Sequence, residues 1–437
     1  MSQAKTFDPN LAKLHAIEAD IAAGKLQQAA TSLNALNAAT PADPRIYLAA
    51  AMLARAANNP KQEIASLQHA VAISPSWPPG HLELAKVYSR LARHDDAVAT
   101  ANRAVELVPK DLTVLEVAVA VAHAAGDTLT GRRHLQAAFA LKPTDTRITK
   151  ALGICLIALG DYRDAEAHWR NALVQDPDDW FVLGWLGACL IGLDRKEEAV
   201  EVLQRAIALS PGNPTLTFYL AVARGETPLT QPREMTQDLF DGYANRFDKH
   251  LVGELKYRVP KRVAEMIRDG SSGLHTSVLD LGCGTGLLGV YLGPISGAFV
   301  GVDVSAKMLE KAVPHGVYTE LRQADLLDEL RRISPESFEY IAANDVFIYV
   351  GDLSEIIPAA FHVLRHGGAM IFSCETADSA EGALVLRSSK RYAHSRESIE
   401  ILCRDAGFSS CSFEMIDLRF DGGDVPIAGF IAVAHKA

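Results

Sequence analysis

Six prolines, Pro41, Pro75, Pro109, Pro143, Pro177 and Pro211, follow one another at steps of 34 residues. Nothing else in the 437-residue chain constrains its fold as tightly. An alanine stands five residues before the proline in five of the six units, as Ala70, Ala104, Ala138, Ala172 and Ala206. A fixed period of this size marks stacked supersecondary units, each too small to bury its apolar face alone. Each unit reads as two short amphipathic helices. Proline cannot continue a helix and biases the residue before it away from helical angles, so it punctuates the end of each pair. Ala85, Gly153 and Gly187 in the first helix, and Ala29, Ala97, Ala165 and Ala199 in the second, sit where paired helices must approach closely. Glu63 and Gly131 depart from that alanine column. Cys155 and Cys189, also 34 apart, read as equivalent core positions rather than a redox pair. Trp169, Trp180 and Trp185 read as repeat core or groove wall.

The pattern resembles tetratricopeptide repeats over about residues 10–213, with a cap helix at 214–224. The expectation is an all-α solenoid of six repeats over residues 1–224. Its concave groove would take a protein or peptide partner, or support homo-oligomer assembly.

Charge narrows the partners. Residues 1–230 hold 22 Lys and Arg against 24 Asp and Glu, and the remainder holds 21 against 29. The acidic surplus therefore lies in the C-terminal half. Proteins that bind nucleic acid need a basic field to neutralise phosphates, so DNA or RNA is argued against as acceptor. The six cysteines form no C-x-x-C pair and the histidines show no ligand spacing, so no metal site is expected. No N-terminal basic-then-apolar stretch occurs, nor an apolar run of roughly 18 residues. A cytoplasmic protein without membrane contact is expected.

Residues 225–232, Gly-Glu-Thr-Pro-Leu-Thr-Gln-Pro, read as a turn-rich linker. From 233 to 437 the pattern changes. Helical stretches alternate with short β-branched runs at 277–281, 299–302, 338–342, 369–373, 412–418 and 427–434. This alternation predicts an α/β doubly wound, Rossmann-like domain. The last two runs, joined across Gly422 and Gly423, predict a hairpin and hence an antiparallel strand.

The strongest chemical signal is Val278-Leu279-Asp280-Leu281-Gly282-Cys283-Gly284-Thr285-Gly286. A strand runs into a glycine turn, whose missing Cβ atoms let backbone approach a ligand. The dinucleotide fingerprint is G-x-G-x-x-G. Here the spacing is G-x-G-x-G, and Leu287 stands where the third glycine belongs. Asp280 lies just before the turn, where a pyrophosphate would be repelled. Asp303, at the end of the second strand, can accept two hydrogen bonds from ribose hydroxyls; its other reading is a helix N-cap. Asp325, in Gln323-Ala324-Asp325-Leu326, is read as following a third strand that precedes the run at 338–342, which is then the fourth.

As a set, these residues resemble the class I S-adenosylmethionine-dependent methyltransferases over about 235–437. The resemblance implies S-adenosylmethionine as cofactor. It places ribose on Asp303, the adenine amino group on Asp325 beside Leu326, and the methionine part over Gly282–Gly286; Val304 joins this set. Upstream, Phe240, Tyr243, Phe247, His250 and Leu251 share one helical face. The segment is similar to the N-terminal cap of small-molecule methyltransferases, where the tyrosine reaches the cofactor carboxylate; Phe247 is assigned beside it.

Asn344, Asp345 and Tyr349 follow the fourth strand, and ligands of open α/β sheets sit beyond the carboxyl ends of strands. They are expected to meet cofactor or acceptor, or else to cap the loop. His394 precedes Ser395, a helix N-cap in prospect, and reads as an acceptor base or a surface residue. The acceptor side is thus assigned to His250, Asp345, Tyr349 and His394. Lys390, Arg391 and Arg396 form a basic cluster that reads as a solvated face or as a site for a carboxylate. Three functions compete: a methyltransferase that recruits partners through its repeats, a repeat scaffold with a vestigial methyltransferase fold, and a nicotinamide oxidoreductase.

Overall fold

The computed structural model describes residues 8–244, 247, 256–270, 276–378, 380–421 and 425–437, except the side chains of Tyr243 and Asp421. Two compact units divide the chain, Met1–Ala172 and Leu173–Ala437.

The first unit is helical: α1 (Leu11–Ala22), α2 (Leu26–Ala39), α3 (Pro44–Ala56), α4 (Pro60–Ile73), α5 (Pro78–Arg90), α6 (His94–Leu107), α7 (Leu112–Ala125), α8 (Thr128–Leu141), α9 (Thr146–Ala158) and α10 (Tyr162–Gln175). The second opens with α11 (Trp180–Gly192), α12 (Lys196–Leu209) and α13 (Pro214–Ala223). From α2 to α12, every second helix of a pair has 14 residues and restarts 34 residues after the last. The prolines lie just beyond these helices, as their chemistry requires.

Two further devices keep the period. The first helix of four of the six pairs is capped by an acid whose side chain accepts a backbone N–H, Asp43, Asp111, Asp145 and Asp179, and the final helix α13 is capped likewise by Asn213. Between the helices of each pair one residue turns left-handed: Gly24, Asn58, Ala92, Gly126, Gly160 and Asp194, with φ between 53° and 78°. The alanine column packs as expected, with Ala29, Ala97, Ala165 and Ala199 fully buried. At Gly153 an added Cβ would run into the Trp169 indole, so that glycine is required by close approach. Glu63, the charged departure, is buried but both its oxygens accept from one guanidinium nitrogen, Arg90 Nη2, at 2.6 and 2.7 Å.

In the second unit α14 (Arg233–Tyr243) and α15 (Val259–Gly270) precede the sheet. The parallel strands are β1 (Val278–Leu281), β2 (Phe299–Asp303), β3 (Glu320–Gln323), β4 (Phe338–Ala343) and β5 (Leu364–Thr376), in the order β3-β2-β1-β4-β5. Helices α16 (Leu287–Leu292), α17 (Ala306–Ala312), α18 (Leu326–Arg332) and α19 (Ile356–Val363) connect them. A short hairpin follows, β6 (Leu384–Leu386) and β7 (Tyr392–His394), with β7 parallel to the end of β5 at Glu375 and Thr376. After α20 (Arg396–Ala406), β8 (Ser410–Asp421) and β9 (Val425–His435) form the predicted hairpin, and β9 runs antiparallel to β5. β1 and β2 are buried throughout, sandwiched by apolar helix faces such as Val259, Val263 and Ile267 of α15.

The stretch expected as a linker is fastened to this sheet domain. Leu229 O accepts from Asp352 N (2.6 Å), Thr230 bridges to Val350, and the Tyr392 hydroxyl donates to Pro228 O (2.8 Å). The division between compact units falls at 172/173, inside the repeats. Repeats contact only their chain neighbours, so compactness does not track the change of architecture at 225–232. No helix among the described residues is long and apolar enough to cross a membrane.

Gly131 offers a direct test of the alanine column. A Cβ built there meets only Ala122 Cβ, at 3.8 Å. Gly131→Ala should therefore stabilise the helical unit by about 0.5–1 kcal/mol, the helix-interior cost of glycine. Urea unfolding followed by far-ultraviolet dichroism measures this; a loss of stability would mean that the column is filled at this repeat.

Candidate active site

The strand order reverses between β1 and β4, and a cavity of about 390 Å³ opens beyond the carboxyl ends of these strands. Gly282, Gly284, Asp303, Val304, Asp325 and Leu326 line one part of it. Asn344, Asp345 and Tyr349, with Phe240 and Phe247, line another. Ten of the residues assigned from sequence are thus brought together, across four strands and the segment after α14.

All three turn glycines are left-handed, with φ of 65°, 55° and 87° at Gly282, Gly284 and Gly286. A Cβ on Gly284 would meet nothing nearer than the Phe247 ring at 3.8 Å, so the space before it is the cavity itself. Gly286 lies behind the lining, against Tyr318, where it caps α16. Asp303 Oδ2 accepts from Gly284 N (2.9 Å) and Oδ1 from Ser305 N (2.8 Å). Burial raises its pKa, and those two amides oppose the rise. The helix cap of α17 is Ser305, which accepts from Met308 N, so Asp303 is not the N-cap. A carboxylate has about four acceptor positions, and two backbone bonds leave capacity on the cavity side. Asp325 caps α18 through Oδ1, which accepts from Leu327 N and Asp328 N, while lining the cavity. The Ser305 hydroxyl donates to Asp241 of α14 (2.5 Å), which ties that helix to the end of β2.

The fourth-strand loop is held by a cation absent from the sequence assignment. Arg419 of β8 is 2% exposed and lines the cavity. Its Nη1 donates to Asp345 Oδ2 (2.6 Å) and its Nη2 to Glu375 of β5. A β-bulge causes this: pairing with β9 skips Leu418, whose side chain sits over Gly429, and Arg419 is turned toward the cavity. Burial lowers the guanidinium pKa and the two carboxylates raise it, and the attraction wins. Asp345, left-handed at φ 56°, also exchanges hydrogen bonds with Ser373: its amide donates at 2.8 Å and its Oδ1 accepts at 3.1 Å. Its carboxylate is therefore committed to structure. Asn344 Oδ1 is buried with no hydrogen-bond partner among the described residues. Tyr257, also on the wall, is kept a neutral phenol by burial and then by the Asp345 charge.

Two assignments move. His394 is buried in β7, with Nε2 2.7 Å from Gly351 O, and burial lowers its pKa. It does not line the cavity, so it serves neither as an acceptor base there nor as a surface residue; the strand before the Ser395 cap simply faces inward. Asp280 lies under the turn, outside the lining, and accepts from the Tyr318 hydroxyl (2.8 Å). The Tyr243 side chain and His250 fall outside the described residues. Besides Arg419 and Tyr257, the cavity includes Thr230, Gln231 and Arg233, none of them assigned from sequence.

Burial raises the Asp280 carboxyl to about 7, against the lowering pull of Tyr318. Between the ordinary carboxylate range and about 7 the folded chain holds a proton that the unfolded chain has lost. Stability thus falls as pH rises through that window and levels off above it. Asp280→Asn can still accept from Tyr318 but removes the slope. Relative to the parent, it should gain on the order of 2 kcal/mol between about pH 5 and about pH 8, measured by urea unfolding at both pH values. Parallel pH profiles would mean that Asp280 is ionised in the folded chain.

Residues 278–368 match the family model of a methyltransferase domain, and residues 150–214 that of a tetratricopeptide repeat. The ubiquinone biosynthesis O-methyltransferase of Pseudomonas fluorescens (strain SBW25) is 32% identical over 100 residues, 22% of this chain and 43% of that protein. The protein of the same name from Serratia proteamaculans (strain 568) is 24% identical over 140 residues, 31% of this chain and 58% of that one. The chain thus spans 43% and 58% of the lengths of these relatives. A solved methyltransferase from Methanosarcina mazei, described as S-adenosylmethionine-dependent, aligns at 19% identity with a TM-score of 0.33, over 39% of this chain and 96% of that one. One polypeptide therefore carries tetratricopeptide repeats followed by a methyltransferase domain.

Proposed function

We propose that this chain transfers a methyl group from S-adenosylmethionine to an acceptor bound in the same cavity. The observation that carries the reading is the Asp303 carboxylate, buried, bonded to the Gly284 amide and still facing the cavity. The residues present fit the cofactor. Gly284 leaves open the space that a side chain would fill, and Asn344 Oδ1 is a buried acceptor in want of a donor. Asp303 would hold the ribose hydroxyls, Asp325 with Leu326 and Val304 the adenine, and Asn344 the ammonium group.

When bound, the cofactor supplies an electrophilic methyl group: an acceptor lone pair forms the new bond to carbon as the carbon–sulfur bond breaks, its electrons remaining on sulfur. The chain contributes position and dryness. Phe240 and Tyr349, packed edge-to-face at 5.1 Å, wall the acceptor side against water. Asp345 acts as a positioning residue through Arg419, not as a base. A nicotinamide reading is opposed by the glycine spacing, and a vestigial one by the intact Asp303–turn bond.

For the repeats we propose partner binding or self-assembly. A groove of about 240 Å³ between α3, α4 and α5, bordered by Met52, Arg55 and Lys86, supports this. The six free cysteines suit a reducing, cytoplasmic setting.

Calorimetric titration tests the proposal. The full chain should bind S-adenosylhomocysteine and not NADH. Asp303→Asn should weaken that binding by about 1.5–3 kcal/mol, the cost of a hydrogen bond to a charged acceptor. Binding of NADH without S-adenosylhomocysteine would overturn it.

A further inference from the structure

Three arginines line the cavity: Arg419, Arg233 and Arg391. Arg419 is neutralised by Asp345 and Glu375. Arg233 and Arg391 have no ion pair among the described residues. Arg233 is exposed and Arg391 half-buried; in the same turn as Arg391, Arg387 by contrast pairs with Glu381 through both Nη atoms. The acids on the lining are Asp303, Asp325 and Asp345, of which the last belongs to Arg419. Two cations therefore face the cavity uncompensated.

They are held in a frame. Gln231, 7% exposed, donates through Nε2 to Lys390 O and so joins the start of α14, where Arg233 stands, to the turn that carries Arg391. Within that turn Arg387 N donates to Arg391 O (2.8 Å) and Lys390 N to Arg387 O (2.9 Å). Tyr392 N donates to Ile348 O (2.8 Å), which fixes the turn to the cavity wall. The sheet order separates this corner from the nucleoside end. β2, which carries Asp303, and β7, which Arg391 precedes, stand four strand steps apart, roughly 19 Å at the spacing of neighbouring strands. The Phe240 and Tyr349 rings line the same cavity, packed edge-to-face.

We propose, resting on the methyltransferase reading above, that the acceptor is an apolar, ring-bearing molecule with an oxyanion, carboxylate or phosphate, and that Arg391 and Arg233 receive that oxyanion. A guanidinium suits either group, since its planar fork matches two oxygens at once. The rings take the apolar body and hold the nucleophile toward the glycine turn. The acceptor then supplies the negative charge that the cavity wall lacks at this corner.

The test uses the full chain with benzoate, phenyl phosphate and uncharged benzyl alcohol, each titrated calorimetrically with and without saturating S-adenosylhomocysteine. At least one anion should bind at least about tenfold tighter than benzyl alcohol, and the preferred anion identifies the oxyanion. Arg391→Ala and Arg233→Ala should each weaken that anion by about tenfold or more while leaving the S-adenosylhomocysteine dissociation constant unchanged. Three results would overturn the proposal: no preference for an anion in the parent chain, undiminished anion binding in the double variant, or a parallel loss of S-adenosylhomocysteine affinity. The last would assign the arginines to the cofactor's own carboxylate. Failure of S-adenosylhomocysteine to bind at all would instead remove the methyltransferase reading, and the titrations without it would still decide whether the arginines hold an anion.

Discussion

The hydrogen bond from the Gly284 amide to the Asp303 carboxylate is the contact on which the rest of the site depends. It joins the turn after β1 to the end of β2, so one charged group sets the floor of the cavity and keeps acceptor capacity for a ligand. The turn can come so close only because its glycines take left-handed angles. From the same junction, Ser305 caps α17 and reaches Asp241, which carries α14 to the rim. Burying a carboxylate is costly unless its oxygens are bonded, and here two backbone amides offset part of that cost.

The opposite side of the cavity is built around Arg419. Its two carboxylate partners come from the loop after β4 and from β5, so the guanidinium ties that loop, β5 and β8 together. A buried ionic cluster of this kind is weak evidence of stability but sets geometry well. It explains why Asp345, which stands at the right address for acceptor chemistry, is occupied in holding the loop that bears Asn344 and Tyr349. The arginines of the cavity that lack an ion pair among the described residues are Arg233 and Arg391.

Much of this was legible in the residues. The proline period and alanine column announced paired helices because packing demands the same small side chain each time. The left-handed positions escaped notice because their residue type drifts through Gly24, Asn58, Ala92 and Asp194, which share a backbone angle and not a composition. That Asp303 and Asp325 would share one cavity was legible because motif spacing carries them. β3 lacks alternating apolar residues, being a half-exposed strand of sequence Glu-Leu-Arg-Gln, and β6 and β7 have three residues each. Arg419 was hidden by a bulge that no local pattern announces. Thr230 and Gln231 were hidden because a turn-rich stretch read as a tether, while its backbone in fact pairs with the loop beyond β4. His394 was misplaced because a position beside a helix cap does not reveal which way the preceding strand faces.

Whether the chain is an enzyme at all is the claim beneath every other. It is tested most directly by incubating the full chain with methyl-labelled S-adenosylmethionine and cell extract, then separating protein from small molecules. The account predicts label in an acceptor fraction, abolished in the Asp303→Asn chain. Tight cofactor binding with no label transferred to any fraction would contradict it and favour a repeat scaffold bearing a silent methyltransferase fold.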